Sequence, residues 1–322
     1  MGSLVSVLIP CYNGEKFLER CFNCLLEQTY KNVEVVFVND GSKDNSENLA
    51  LEYGKKLEEK GYIFKYFYQE NAGAAAAINF ALKKLTGKYI MLYDVDDIIM
   101  PTAIEDKAVF LDTHEEYDMV RNNGYYVNND DINEIIKPFE IYDENNVNEH
   151  IFEDIILEKV NNWPSTFMVK TETLFAHIPD KNIYVSQFGQ NLQIMMPVAY
   201  YGKTAYIDKY LMKYVKHDNS HSSQKTFERT WELANGYEEN RIEVINMLDI
   251  DENEKQRYLN IISKKFTRRR MDKARIYHKK DLLKQEYKKL KKLGDININD
   301  TIKYYAELAG LYQLKKSLKK LI

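Results

Sequence analysis

The feature that most constrains this chain is a regular alternation over its first hundred residues. Four apolar runs, LVSVLIP, NVEVVFV, YIFKYFYQ and KYIMLYDV, each end in polar residues. Between them lie stretches with helical spacing, among them GEKFLERCFNCLLEQTY, with apolar Phe17, Leu18, Cys21 and Leu25. Strands alternating with helices of this length predict right-handed βαβ units and a parallel sheet with helices on both faces. Ligands of such sheets collect at the carboxyl ends of the strands. The three loops there are PCYNG, NDGS and DVDD. No GxGxxG follows the first strand, which argues against a dinucleotide-dependent oxidoreductase.

The fourth run delivers three carboxylates in four positions, Asp94, Asp96 and Asp97. Carboxylates this close repel one another unless something positive neutralises them. Asp94 and Asp96, two apart at a strand end, start on the same side. Oxygen donors at that spacing suit a hard divalent cation, Mg²⁺ or Mn²⁺, better than zinc. The competing reading is an acidic turn that caps the helix starting near Pro101.

IPCYNG, VNDGSKDNS, ENAGAAAAIN and YDVDD follow one another in fixed order over about 90 residues. In this order the chain resembles the family 2 glycosyltransferases of the GT-A fold, a Rossmann-like, mostly parallel sheet flanked by helices. The resemblance covers roughly residues 4–222. It implies that Pro10, Tyr12 and Asn13 line a uracil and ribose pocket and that Asp40 accepts from uracil N3–H. It further implies that Asn71 and Gly73 border the ribose and diphosphate, with Asp94 and Val95 beside the ribose. Asp96 would hold the metal with Asp94, and His217, in YLMKYVKH, would be the third ligand or a diphosphate contact. The donor implied is a UDP-sugar, with Mn²⁺ or Mg²⁺ as cofactor.

This sequence departs from the family pattern in three places. Asn39 precedes Asp40 where relatives often have a second Asp. Ile78 stands before Asn79 where many have an Arg, so a cation on the diphosphate must come from elsewhere, for instance Lys216. Gln190-Asn191 occupies the usual Glu-Asp position, and an amide cannot take a proton from an acceptor hydroxyl. Either another carboxylate such as Asp180 or Glu153 is the base, or the mechanism retains configuration, or transfer is lost and only binding persists. The expected function is transfer of a sugar, with inversion, to a bacterial surface glycan acceptor that is lipid-linked; the alternative is a nucleotide-sugar binding or scaffold protein. His217 and His221, four apart, also admit a two-histidine zinc site.

Domain boundaries follow composition. Residues 251–322 carry 21 Lys and Arg against 9 Asp and Glu, a balance of +12, whereas the whole chain is −4. The expected division is a glycosyltransferase domain over 1–222, with a nucleotide half at 1–101 and an acceptor half at 102–222, then a helical basic region at 223–322. Those helices are expected either as a solvated face or as a dock on an anionic membrane surface; self-association is the other use open to them. Nucleic acid is not an expected partner, because the acidic remainder would repel it. Only three cysteines occur, and Cys21 and Cys24 fall within a helical pattern, so core packing is expected in place of zinc or disulfides. The short run at Leu4–Ile9 lacks a basic flank, and no apolar run approaches 18 residues. The expected location is the cytoplasm, peripheral at the inner face of the plasma membrane.

Overall fold

The structure, a computed structural model, describes residues 2–139, 148–217 and 226–310. The chain divides into two compact units, Met1–Ser220 with Met247–Asp249, and His221–Asn246 with Ile250–Ile322.

The first unit opens with the expected alternation: β1 (Val5–Cys11), α1 (Glu15–Leu26), β2 (Val33–Asp40), α2 (Ser46–Glu59), β3 (Ile63–Gln69), α3 (Ala74–Leu82) and β4 (Tyr89–Leu92). All pairings among these strands are parallel, β3 on β2, β2 on β1 and β1 on β4. Every residue of β2 and β4 is buried, as expected of strands covered on both faces. Cys21 and Cys24 pack in the core from α1.

Beyond β4 come β5 (Ile98–Ile99), α4 (Ala103–Thr113), β6 (Met119–Asn128), β7 (Ile135–Pro138), α5 (Phe152–Ile156), β8 (Phe167–Lys170), α6 (Thr171–His177), α7 (Leu192–Tyr201) and β9 (Thr204–Lys216). They extend the same sheet in the order β3-β2-β1-β4-β8-β6-β9-β5, with β7 on β6. Strand β8 runs antiparallel to β4, and β6 runs antiparallel to β8. Two reversals therefore return β6, and β9 parallel to it, to the direction of β1–β4. The end of β9 emerges at the same edge as the ends of β2 and β4. The sheet is parallel in its first half and mixed in its second.

Three local expectations are corrected. The stretch expected as paired short strands forms one long strand, β9 (Thr204–Lys216). Its polar Asp208-Lys209 step is absorbed by register shifts against Asn122, Asn123 and Gly124, with Asn123 Nδ2 donating to Asp208 Oδ1 (3.1 Å). The helix expected over 148–160 is only α5, because Glu158 takes a left-handed conformation (φ 55°). Gly189 (φ 98°) keeps residues 186–190 out of α7, so Gln190 lies in a loop at the helix start.

In the second unit, α8 (Phe227–Met247), α9 (Glu252–Ile276), α10 (Lys280–Lys292) and α11 (Ile298–Leu308) give the expected helical character. Met271, Ala274, Leu283 and Leu290 form its core. The basic run is only partly a solvated face. Arg270 is 4% exposed and pairs with Glu238 and with Glu286 (3.1 Å).

Lys107 on α4 is wholly buried in the first unit. Its ammonium donates to Asn122 Oδ1 (2.9 Å) and to the Ser165 carbonyl (3.0 Å). Burial pushes its pKa down to about 7. The unfolded chain keeps this proton up to the ordinary lysine range, so between about pH 7 and 10 the unfolded state binds more protons and this residue makes stability rise with pH. In urea unfolding, Lys107→Met should shift the stability-versus-pH slope over that window downward by up to about 1.4 kcal/mol per pH unit relative to the parent. Parallel curves would contradict a depressed Lys107.

Candidate active site at the carboxyl edge of the sheet

The loop after β1 and the loop after β2 are tied together by short polar contacts. Asn13, itself left-handed (φ 50°), donates its N–H to Ser42 Oγ (3.0 Å) and accepts at Oδ1 from Lys43 N–H (2.8 Å). Gly14 N–H donates to Ser46 Oγ (2.9 Å), and a Cβ at Gly14 would meet Cys11 Sγ at 2.6 Å. Asn39 accepts from Ser42 N–H (2.9 Å) and donates to the Tyr66 hydroxyl (2.9 Å), a pair of roles an aspartate could not fill. Tyr12 stays 52% exposed beside them, with Pro10 at the end of β1.

Asp40 is 2% exposed and accepts from Ala72 N–H (2.9 Å), Gly73 N–H (2.8 Å) and Gln69 Nε2 (2.7 Å). Asn71 closes the same corner by donating to the Asp40 carbonyl (3.0 Å). Gly41 (φ 74°) must be glycine, since a Cβ there would sit 2.7 Å from the Asn71 nitrogen. The Asp40 carboxylate thus holds the 71–73 loop and has about one lone pair left for a ligand donor.

At the end of β4, Asp94, Asp96 and Asp97 bring carboxylate oxygens within 4.8 Å of one another. Burial, then the charge of Asp96, push the Asp94 carboxyl up to about 7, with Gln190 pulling slightly down. Burial, then Asp96 and Asp94, hold Asp97 well above the carboxylate range. Asp97 is 1% exposed and turns inward, accepting from Val215 N–H (3.3 Å). Val95 packs toward Gly14. The short β5 pairs with β9, Ile98 opposite Lys213, and so carries the end of β9 back to the carboxylates. His217 Nε2 lies 2.6 Å from Asp96 Oδ2. Oxygens and one imidazole at this separation fit a hard divalent cation, whose neighbouring donors stand about 3 Å apart when bonds are near 2.1 Å. His221 lies outside the described residues, as does the stretch that follows His217.

The amides divide. Gln190 Nε2 reaches Asp94 Oδ1 (3.4 Å), whereas Asn191 donates to the Asn162 carbonyl (2.9 Å). Asp180 is exposed in the turn after α6 and shares no hydrogen bond with the carboxylates among the described residues. Ile78 is buried in place of an arginine, and Asn79 pins the 183 backbone instead, accepting from Ile183 N–H (2.6 Å). Lys216 is exposed, its ammonium 5.0 Å from the Tyr126 ring centre.

Sequence reasoning missed Arg20, whose guanidinium donates to the Asp96 carbonyl (2.5 Å) from α1. The signal was a charge three residues after Phe17, within the helix's apolar stripe. Phe17 itself packs on the His217 ring, centres 5.2 Å apart.

Crowded acid at a strand end, the loops after β1 and β2 laced together and a histidine delivered from just past a distant strand define a GT-A fold with its site at the carboxyl edge. Residues 6–174, more than half the chain, match glycosyl transferase family 2, and the chain belongs to that family. An uncharacterized glycosyltransferase of Rickettsia conorii is 38% identical over 150 residues, 45% of this chain and 24% of that protein. The glycosyltransferase GlyA of Streptococcus pneumoniae is 40% identical over 101 residues, 31% of this chain and 14% of that protein. The matches therefore span a quarter or less of the length of these two relatives. S. aureus TarS 1–349, solved with UDP-GlcNAc, has TM-score 0.58 and 20% identity over 96% of this chain and 92% of that one. The mannosyltransferase PcManGT from Pyrobaculum calidifontis, solved with GDP-Man and Mn²⁺, has TM-score 0.56 and 13% identity over 99% and 84%. Both likenesses are of fold alone.

Because Asp40 satisfies two backbone N–H groups and an amide, Asp40→Ala should lower unfolding free energy by about 3 kcal/mol. Asp40→Asn, which turns one oxygen into a donor, should also destabilise. Urea midpoints of both variants near that of the parent would show that the 71–73 loop does not depend on this carboxylate.

Proposed function

We propose that the chain transfers a sugar, with inversion, from a UDP-sugar to a surface-glycan acceptor carried on a lipid, using a divalent cation held by Asp94, Asp96 and His217. The observation that carries this reading is the contact of Asp96 with His217, brought from 121 positions away in the sequence to the end of β4. When bound, Mn²⁺ or Mg²⁺ would neutralise charge developing on the departing diphosphate.

The chain's own residues supply the rest. Pro10, the exposed ring of Tyr12, and Asn13 flank the base and ribose, with Asp40 offering its remaining lone pair to uracil N3–H. Asn71, Gly73 and Val95 border the ribose and diphosphate. Arg20 holds the backbone at Asp96 and sets a fixed positive charge behind the carboxylates. Gln190, through Asp94, orients the sugar side of the site, and Asn191 fixes the 162 backbone beneath it. Neither amide can be the base, so the acceptor's proton goes to a carboxylate. The candidates are Asp180 and Glu153, both in the acceptor half of the chain.

The basic unit supports docking on an anionic membrane. Ile298, Ile302 and Tyr305, on one face of α11, are 79%, 60% and 61% exposed, and the exposed Lys303 lies on the same helix. An apolar stripe with flanking ammonium groups suits an interfacial surface. No helix among the described residues is long and apolar enough to cross a membrane. AELAGLYQLKKSLKKLI, whose sequence reads as an amphipathic interfacial end, lies outside the described residues beyond Gly310.

Two experiments test these readings. By calorimetry, Asp96→Ala should weaken UDP binding about tenfold or more in Mn²⁺ and little in EDTA, and UDP should outcompete ADP. UDP release with acceptor separates transfer from binding alone, and product NMR reads the anomeric outcome. UDP affinity indifferent to metal and to Asp96 would sink the metal assignment. In sedimentation with phosphatidylserine vesicles, the chain should bind at low salt, dissociate at high salt and bind more weakly as Ile302→Asp. A chain that ignores such vesicles at low salt leaves the stripe to self-association.

A further inference from the structure

Beside the carboxylates stands an aromatic group that none of the chemistry above uses. Tyr126 on β6 and Tyr214 on β9 are cross-strand partners with ring centres 5.7 Å apart. Trp163, from the loop before β8, packs on Tyr214 (4.6 Å) and edge-on to Tyr126 (6.2 Å), donating Nε1–H to the Tyr126 hydroxyl (3.1 Å). All three rings are half-buried. Two ammonium groups lie over Tyr126, Lys216 at 5.0 Å and Lys137, its β7 neighbour, at 5.3 Å. Among the described residues neither lysine has a carboxylate partner.

These rings belong to the rim of the site. Asp94 touches Gln190; Asn191, next in sequence, holds the carbonyl of Asn162, the neighbour of Trp163. Trp163 touches Tyr126, which lies under Lys216, the neighbour of His217, and His217 returns to Asp96. The circuit closes on the carboxylates through one aromatic wall.

Aromatic faces carry negative potential and receive the weakly positive C–H face of a sugar ring. Lysines kept over such a ring without a carboxylate keep their charge available to an anionic substituent. We propose that Tyr126, Trp163 and Tyr214 form the acceptor subsite, and that the acceptor unit seated there is an anionic saccharide, its phosphate or carboxylate read by Lys137 and Lys216. The proposal rests on the reading of the carboxylate site as a UDP-sugar site and adds to it the class of acceptor.

The chain has two tryptophans, Trp163 and Trp231, the second in the other unit. In the full chain carrying Trp231→Phe, emission therefore reports on Trp163. With UDP and Mn²⁺ present, it is titrated with glucose 6-phosphate, glucuronic acid, glucose and inorganic phosphate. Both anionic sugars should shift the emission with affinities about tenfold above glucose. Inorganic phosphate should leave it unchanged, and the stronger of the two sugars identifies the substituent. Lys137→Gln, an exposed change that spares folding, should remove most of the gap while UDP affinity by calorimetry stays within about twofold. Equal affinities for neutral and anionic sugars, a gap that survives Lys137→Gln, or UDP bound with no sugar moving the emission would each overturn the proposal. Failure of UDP itself to bind would instead overturn the reading of the nucleotide site.

Discussion

Negative charge concentrated at the end of β4 is the constraint around which the first unit is arranged. Three carboxylates within a few ångströms of each other are tolerable only because each is handled differently. Asp97 turns inward to a β9 amide, Asp96 meets an imidazole and stands on a carbonyl held by Arg20, and Asp94 meets the Gln190 amide. The partners come from α1, from the loop before α7 and from β9. A local repulsion is thus answered by contacts that span the fold. The two-residue β5 matters out of proportion to its length, because its pairing with β9 brings that strand's last residues to the carboxylates.

The first hundred residues were legible because their strands are local in sequence and buried on both faces. Continuous apolar runs, helical periods and polar strand ends each point to the same parallel sheet. The second half depends on pairings between distant segments, β6 with β9 and β4 with β8, which leave no periodic trace. Asp208-Lys209 reads as a turn and is a bulge, since only the partner strand decides whether two polar residues end a strand or are carried past. In the site, Asp94, Asp96, Gln190 and His217, which the fold brings into contact, could be named from motifs. Arg20 could not, because its role is to hold a backbone carbonyl, and the Tyr126–Trp163–Tyr214 wall could not, because its members are scattered over 89 positions.

The basic half shows why charge counts mislead about burial. Arg268 and Arg270 sit in one unbroken run of arginines, yet Arg268 pairs with Asp295 (2.6 Å) and Asp300, and Arg270 is enclosed with Glu238 and Glu286. Removing both acids from the Arg270 set would strand a buried guanidinium, a larger loss than any exposed pair on α10 could cause. The lysines of α10, in contrast, are exposed.

The corner at Asp40 has a consequence for how this chain can change over generations. Its side chain is a structural clasp first, engaged by Ala72 and Gly73, with one lone pair left over. A lineage that drifted at this position would lose the loop before it gained a new ligand, so innovation on that side is mechanically expensive. The wall of Tyr126, Trp163 and Tyr214 closes no such loop. Selection can remodel it ring by ring while the clasp stays put, so change is mechanically cheap on this side of the fold.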